Sequence, residues 1–464
     1  MSPFGSLTDA PASFTLDGVR IVDPSTGTDA MGDLAVVDGV LTDPGAAPPG
    51  LPNLDGTGLL AIPALCDLHT HLREPGDVRS ETIQTGARAA ARGGYATVCA
   101  MPNTDPALDE AGRVAFVIER ARDAACRVRV VAAATLGRAG EQMTEVGALV
   151  PLRIAGVSDD GTAVASARMA RGLLAYLAPL ELPLIEHAEE PALAAGTSMR
   201  AGSTATRLGL AGWPASAELS VVERDIGLAE ETGGWLHLTH LSTAGGLEAV
   251  RRAKTRGVHV TCDVTPHHLA LTDAWVAGDR SFAWEEPSGV AVDPFTIPLD
   301  PALAYDSACR VNPPLPTRDD ALALLAGVAD GTVDAVATDH APHPLERKAV
   351  EFASAAPGMI GLETALSIGL AAVAAGRLGL PELVAALATR PAAMIGEERS
   401  LRPGALADLA VVDPHATWRV EPAGLASAST NTPLLGRELP GVVLLTVASG
   451  RITYRDGLDE LGNS

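Results

Sequence analysis

Cysteine, lysine, aromatic residues and basic charge are all scarce in this chain, and long apolar runs are missing. Its five cysteines (Cys66, Cys99, Cys126, Cys262 and Cys309) are odd in number and lack CxxC spacing, which argues against a disulfide framework and suits reduced, buried thiols in a cytoplasmic enzyme. The opening residues, MSPFGSLTDAPASFTLDG, have no basic segment followed by an apolar core, so no secretory signal is expected. No apolar run approaches membrane-spanning length. Acidic residues outnumber basic ones by 57 to 34, a formal net charge of -23. Nucleic acid and anionic membrane surfaces carry the same sign and are not expected as partners. An anionic small molecule would need a local pocket of positive charge.

What is present is a large globular chain, 47% hydrophobic and 20% charged. Its 464 residues are about three times the usual single-domain length, which favours a large barrel with a satellite. Short strands separated by Gly, Pro and Asp clusters are expected over 14–22, 33–37 and 58–62. From Pro63 onward, apolar runs alternate with Ala-rich helical stretches such as 81–92, 163–177, 217–232 and 243–256. Eight runs read as strands: 62–68, 96–101, 127–133, 153–158, 182–187, 235–240, 258–264 and 332–339. Eight parallel strands with intervening helices predict an α/β fold, a (β/α)8 TIM-type barrel. No Gly-rich nucleotide loop follows the first strand, which weighs against an open doubly wound sheet.

Strand-like runs return at 408–413, 442–449 and 451–454 with no barrel position left to fill. The economical reading pairs them with the N-terminal strands, giving a composite β domain from 1–62 plus 402–464 beside a barrel over 63–401. A long connection over 273–306 carries Trp275, Phe282, Trp284, Phe295 and Tyr305. It is either a surface excursion with its own small core or a lid or subunit contact on the active-site face.

Metal-ligand residue types recur where these strands end, the end at which barrel enzymes place their chemistry. His69 and His71 in DLHTHLREPG are two apart, so on an extended strand both rings share one side. Asp159 and Asp160 follow the fourth strand, His187 the fifth, His240 the sixth and Asp339 the eighth. Nitrogen and oxygen ligands without a cysteine favour Zn²⁺ or a similar divalent ion in an open, catalytic site. His237, three residues before His240, is placed on the opposite strand face as a structural residue. His267 and His268 are either structural or hydrogen-bond partners of the ligands.

The motifs HTHLREPG, MPNT (101–104), SDDG (158–161), EHAEE (186–190), THLST (239–243), TPHHL (265–269), RVNPPL (310–315) and ATDHAPH (337–343) run in order along almost the whole chain. Together they resemble dihydroorotases of the amidohydrolase superfamily, in the class with a composite β domain. PGALADLAVVDP (403–414) and TNTPLLG (430–436) fit that class as well. The resemblance implies reversible cyclisation of N-carbamoyl-L-aspartate to dihydroorotate in pyrimidine biosynthesis. It implies His69, His71, Asp160, His187, His240 and Asp339 as ligands of one or two zinc ions, and so chooses Asp160 over its neighbour. It also implies His71, Arg73, Asn103, Asn312 and His343 as substrate contacts, with the backbone of Pro357 and Gly358 against the pyrimidine ring.

Chemistry supports these roles independently. A metal-activated hydroxide and a polarised carbonyl are what hydrolysis of an unactivated amide needs. Asp339 beside the metal serves as general acid and base. Arg73 and Asn103 offer a planar donor set to a carboxylate, although Asn103 is also placed to cap the next helix. Hydantoinases and dihydropyrimidinases share the barrel but bridge two metals with a carboxylated lysine after the fourth strand. This chain has only Lys254 and Lys348, neither of them there. Other cyclic amidases, including allantoinase-like enzymes, and a non-catalytic partner of aspartate transcarbamoylase are the alternatives. A homodimer is the expected assembly, with association with aspartate transcarbamoylase as a further expectation.

Overall fold

A computed structural model describes residues 3–285 and 302–458. The central element is a sheet of eight parallel strands: β1 (Leu65–Thr70), β2 (Tyr95–Ala100), β3 (Arg127–Ala133), β4 (Gly156–Ser158), β5 (Leu184–Glu186), β6 (Leu236–Leu238), β7 (Val260–Val264) and β8 (Ala335–Val336). They pair in that order. A parallel bridge between Thr70 and His340 brings the last strand back to the first and closes the ring. Asp67 of β1 strengthens the seam by accepting from the Thr338 backbone N–H at 2.9 Å and from the Thr338 hydroxyl. The expected barrel is present, with each strand inside or within a few residues of its run. The eighth is cut from an expected eight residues to two, because the chain turns into the site immediately after Val336.

The helices that cover the barrel bury one face each. Ala215–Thr232 and Ala244–Thr255 lie side by side, and Thr243 caps the second by accepting from Gly246 N at 2.9 Å. The helix expected from Glu81 begins instead at Ile83. Thr82 and Thr85 form a reciprocal capping box at its start. Glu81 is thereby left outside the helix, where it accepts from Ser427 Oγ at 2.5 Å and Ala428 N at 3.1 Å. A C-terminal segment is thus tied to the barrel rim.

The second sheet joins both ends of the chain. Leu60–Pro63 pairs parallel with Phe14–Asp23 and antiparallel with Leu409–Arg419, which continues to Glu438–Ala448 and Arg451–Arg455. Glu438–Ala448 alternates buried and exposed positions over most of its length, as a strand with one face on a core must. That core includes Leu16, Val36, Leu409, Val411, Leu445 and Val447. The expected single strand over 62–68 is divided: residues up to Pro63 belong to the composite sheet, and Leu65 begins the barrel.

In the long connection, Trp275, Phe282 and Trp284 are buried and join the main core rather than a separate one. Phe282 lies 4.9 Å from Trp284 between ring centres, and the Arg437 guanidinium lies 3.7 Å over Phe282. Tyr305 is partly exposed and donates to the Leu208 carbonyl at 2.9 Å. Phe295 and residues 286–301 lie outside the described residues. All five cysteines are free and buried. Among the described residues, no helix is long and apolar enough to cross a membrane.

Candidate active site

Every proposed ligand lies at or just beyond the C-terminal end of a barrel strand, and closure of the ring brings first and last strands together there. His71 N donates to the His340 carbonyl at 2.9 Å, and His71 Nε2 lies 2.9 Å from Asp339 Oδ1. Cys66 and Leu68 face the barrel interior, yet His69 and His71 also turn inward. A register irregularity between Asp67 and Thr70 shifts the inward set by one residue, as a bulge does. The shared side of the two rings was legible from their spacing, whereas this change of phase was not.

Asp160 is the centre of the arrangement. Its Oδ2 lies 3.4 Å from His69 Nε2 and 3.7 Å from His71 Nε2. Its Oδ1 lies 3.4 Å from His240 Nε2 and 3.6 Å from His187 Nδ1. Two buried triads, His69–His71–Asp160 and Asp160–His187–His240, therefore share one carboxylate, and within each the potential ligand atoms lie within 4.8 Å of one another. Asp159 points elsewhere, accepting from Thr135 N at 2.9 Å.

The surrounding hydrogen bonds set these rings for a cation. His71 Nδ1 faces Asn103 Oδ1 at 2.8 Å, an oxygen that can only accept, so the ring proton sits on Nδ1 and the Nε2 lone pair faces the cluster. His69 Nδ1 contacts Thr239 Oγ1 at 2.7 Å, and that hydroxyl donates to Asp263 Oδ2 at 3.0 Å. The residues present thus fit a divalent metal: nitrogen and oxygen donors, oriented from behind, with two buried carboxylates. Asn103 holds His71 in this way and makes no helix cap.

Charge balance in the cluster is tight. Burial alone would raise the carboxyls of Asp160 and Asp339, but the histidines outweigh it and hold both below the ordinary carboxylate range, His69 chiefly for Asp160 and His71 for Asp339. Burial opposes charge on His69 and His187, yet Asp160 and its neighbours lift them to about 9 and about 10.

A cavity of about 300 Å³ opens onto the cluster, lined by His71, Arg73, Asn103, Asp160, His187, His240, Asn312, Asp339, His343, Pro357 and Gly358, with Arg347 at its side. All seven sequence-nominated substrate residues are therefore brought to one cavity; among the six ligands, only His69 lies behind its wall. Arg73 arrives by a route that regular strand spacing does not describe. The strand ends at Thr70, and Arg73 adopts φ +58°, so a left-handed turn rather than strand parity aims it. His240 at φ +40° and Asp339 at φ +46° share that backbone region, which L-residues occupy only where their surroundings hold them. Arg73 is half-buried, with Nε donating to the Pro342 carbonyl at 3.3 Å and Nη2 3.4 Å from His343 Nε2. His343 Nε2 donates to the Pro357 carbonyl at 2.8 Å. Burial, with Arg73 beside it, pushes His343 down to about 3. Its buried Nδ1 has no hydrogen-bond partner among the described residues.

Several participants were missed or misplaced from sequence. Asp263, at the end of β7, accepts from His240 N at 2.7 Å and lies 2.9 Å from His237 Nε2. A carboxylate near the end of β7, between the ligand-bearing β6 and β8, was the available signal. His237 faces the barrel interior beneath the cluster, contrary to the opposite-face expectation, because strand parity stops at Leu238. His268 bonds Thr265 Oγ1 and the Pro313 carbonyl, and His267 packs against its ring with its Nε2 unpartnered among the described residues. Asn431, from the TNTPLLG segment, accepts from His343 N at 3.0 Å and donates to the Ala341 and Gly358 carbonyls.

A family model described as Dihydro-orotase-like matches residues 58–245. A protein named Dihydroorotase from Pelobacter propionicus is 41% identical over 441 residues, spanning 94% of this chain and 98% of that one. Another of the same name, from Anaeromyxobacter dehalogenans, is 43% identical over 447 residues, spanning 95% and 98%. Among solved structures, a D-hydantoinase superposes with a TM-score of 0.78 at 22% identity, covering 96% of both chains. The L-hydantoinase of Arthrobacter aurescens gives 0.78 at 20%, again covering 96% of both. At such identities these two likenesses concern the fold alone.

Proposed function

The chain belongs to the dihydroorotase family, and from that premise we propose that it interconverts N-carbamoyl-L-aspartate and (S)-dihydroorotate, the cyclic-amide step of pyrimidine biosynthesis. The observation that carries this reading is the meeting of Arg73, Asn103, Asn312, His343 and the Pro357–Gly358 backbone with both histidine triads in one cavity. Zinc, one or two ions per chain, suits the donor set, with His69, His71, Asp160, His187, His240 and Asp339 as its holders. Bound there, it lowers the pKa of a coordinated water toward neutrality and polarises the ring carbonyl.

The chain's own groups do the rest. Asp339, ionised at neutral pH because of the histidines around it, accepts the proton released by the attacking water and passes it to the departing ring nitrogen. Run backwards, the same carboxylate takes the proton from the carbamoyl nitrogen as the ring closes. Arg73 answers the substrate carboxylate with a half-buried guanidinium, and desolvation lowers its pKa to about 10, which still leaves it charged at neutral pH. Asn103 is fixed by His71 through Oδ1, which leaves its Nδ2 for that carboxylate. Neutral His343 offers its free Nδ1 as an acceptor, and Asn312 faces the ring from the His187 side, its Nδ2 3.3 Å from His187 Nε2.

Lys254 pairs with Asp334 at 2.6 Å and Lys348 lies under the 356–358 loop, so the cluster contains no lysine and Asp160 is the carboxylate that would hold metal on both sides. On this reading the catalytic barrel spans 63–401 and the composite β domain 1–62 with 402–464. The free, buried cysteines suit a cytoplasmic enzyme. A homodimer, and any association with aspartate transcarbamoylase, are matters for native mass measurement. The functional test is to follow ring opening of dihydroorotate, hydantoin and allantoin by zinc-loaded protein. Preferred turnover of dihydroorotate is expected; none, with metal bound, would contradict the assignment.

A further inference from the structure

The second of the chain's two lysines lies under the substrate cavity rather than on the surface. Lys348 ends the four-residue helix Leu345–Lys348 and is 5% exposed. Its Nζ donates to three backbone carbonyls: Ala356 at 2.8 Å, Gly358 at 3.0 Å and Arg310 at 3.3 Å. An ammonium has three N–H donors, so all three are used, and all on main chain. Placing a cation in such surroundings is costly unless each donor is satisfied. Burial pushes its pKa down to about 8, only partly offset by Cys309 and Asp306 nearby.

The acceptors identify what the lysine holds. Ala356 and Gly358 bracket Pro357, the backbone placed against the pyrimidine ring, and Arg310 is two residues before Asn312. Gly358 N donates to the Arg310 carbonyl at 2.8 Å and Arg310 Nε to the Ala355 carbonyl at 2.8 Å, so the two segments already touch. Lys348 ties them into one unit. The fit around that unit is close. Gly358 has φ +133°, and a Cβ there would lie 2.7 Å from the Ala341 Cβ and 3.1 Å from His343 Nε2. A small displacement of the loop would therefore disturb the ring-facing backbone and His343 together.

We propose that Lys348 is a positioning residue for substrate binding, a buried clamp that sets the spacing between the Asn312 segment and the Pro357–Gly358 loop. It touches neither the metal cluster nor the reacting atoms. Its loss raises KM for both substrates more than it lowers kcat, and leaves metal content unchanged. This inference rests on the proposed dihydroorotase reading, and wild-type turnover separates the two: a wild type inactive on dihydroorotate removes the reading itself, whereas an active one with an indifferent lysine removes only the clamp.

The test uses the full chain, zinc-loaded, as wild type, Lys348→Met and Lys348→Gln, with KM and kcat measured in both directions beside metal content and thermal melting. Lys348→Met is expected to raise KM at least tenfold with kcat within about threefold. Lys348→Gln keeps two N–H donors on one amide nitrogen and is expected to recover part of that loss. An unchanged KM, or a fall in kcat that tracks lost metal, overturns the proposal. So does failure of both variants to fold, since that makes the lysine a requirement of the structure rather than a determinant of affinity.

Discussion

Two buried charge clusters occupy opposite ends of the barrel, and they are balanced differently. Near the N-terminal end, where the barrel meets the composite sheet, Arg127 grips Asp408 with two bonds of 3.0 and 2.7 Å. Arg399 bonds the same carboxylate at 2.8 Å and Glu397 at 2.9 Å. Arg127 and Arg399 meet Asp408 and Glu397, Arg129 lies 3.9 Å from Glu397, and Ser449 N adds a donor to Asp408 at 2.7 Å. That cluster balances its carboxylates with the chain's own guanidiniums. At the C-terminal end, Asp160 and Asp339 are balanced by histidines, and the orienting bonds to Asn103 and Thr239 aim Nε2 of His71 and His69 at the cluster. The first arrangement closes an interface with guanidiniums that keep their charge; the second is built from groups that can exchange their protons for a divalent cation. Burial alone does not distinguish them, but the source of the positive charge does.

This contrast predicts a separation of effects. Asp339→Asn is expected to lower kcat by about 10³-fold, within the range general acid–base catalysis supplies, while the unfolding midpoint stays near that of wild type; near-normal turnover would exclude it as the proton carrier. Asp408→Asn reverses the pattern. Leaving two buried guanidiniums short of a partner costs about 3 kcal/mol, the lower end for breaking a buried pair, visible in urea unfolding, with turnover per folded, metal-loaded chain within about twofold. Equal damage to turnover would mean the two ends are coupled. Arg73→Met falls between them, raising KM for the carboxylated substrate by about tenfold to a hundredfold, the worth of a hydrogen bond to a charged group. An unchanged KM places the carboxylate elsewhere.

The smallest effect is the acid response of the lower cluster. Burial would raise Asp408, but Arg399 and Arg127 outweigh it and hold it below the ordinary carboxylate range. A depressed folded-state pKa contributes stability that is complete above the unfolded value and lost as pH falls through the folded one. Between pH 5 and pH 3, wild type should lose more stability than Asp408→Asn does, and parallel urea curves would show that this carboxylate does not carry the acid response.

Much of this was legible along the chain because barrel ligands announce themselves locally: a short apolar run, then a histidine or aspartate where it ends. His69, His71, Asp160, His187, His240 and Asp339 all stood at such places. What the sequence could not display were contacts between distant residues and departures from regular backbone. Thr239 meets His69 across 170 positions, and Asn431 reaches the His343 loop from the composite domain. Arg73 reaches the cavity through a left-handed turn, and His237 shares the interior with His240 because strand parity ends at Leu238, between the two. Glu81 was read as the start of a helix, when a threonine pair caps that helix and frees the carboxylate to hold the C-terminal segment.

The central claim is that one carboxylate, Asp160, joins two histidine triads into a site for divalent metal. Metal content per chain, measured beside dihydroorotate turnover for wild type and Asp160→Asn, tests it most directly. One or two ions per wild-type chain are predicted, with metal content falling and turnover reduced by more than a hundredfold in the variant. An Asp160→Asn protein that keeps both its metal and its activity would contradict the account.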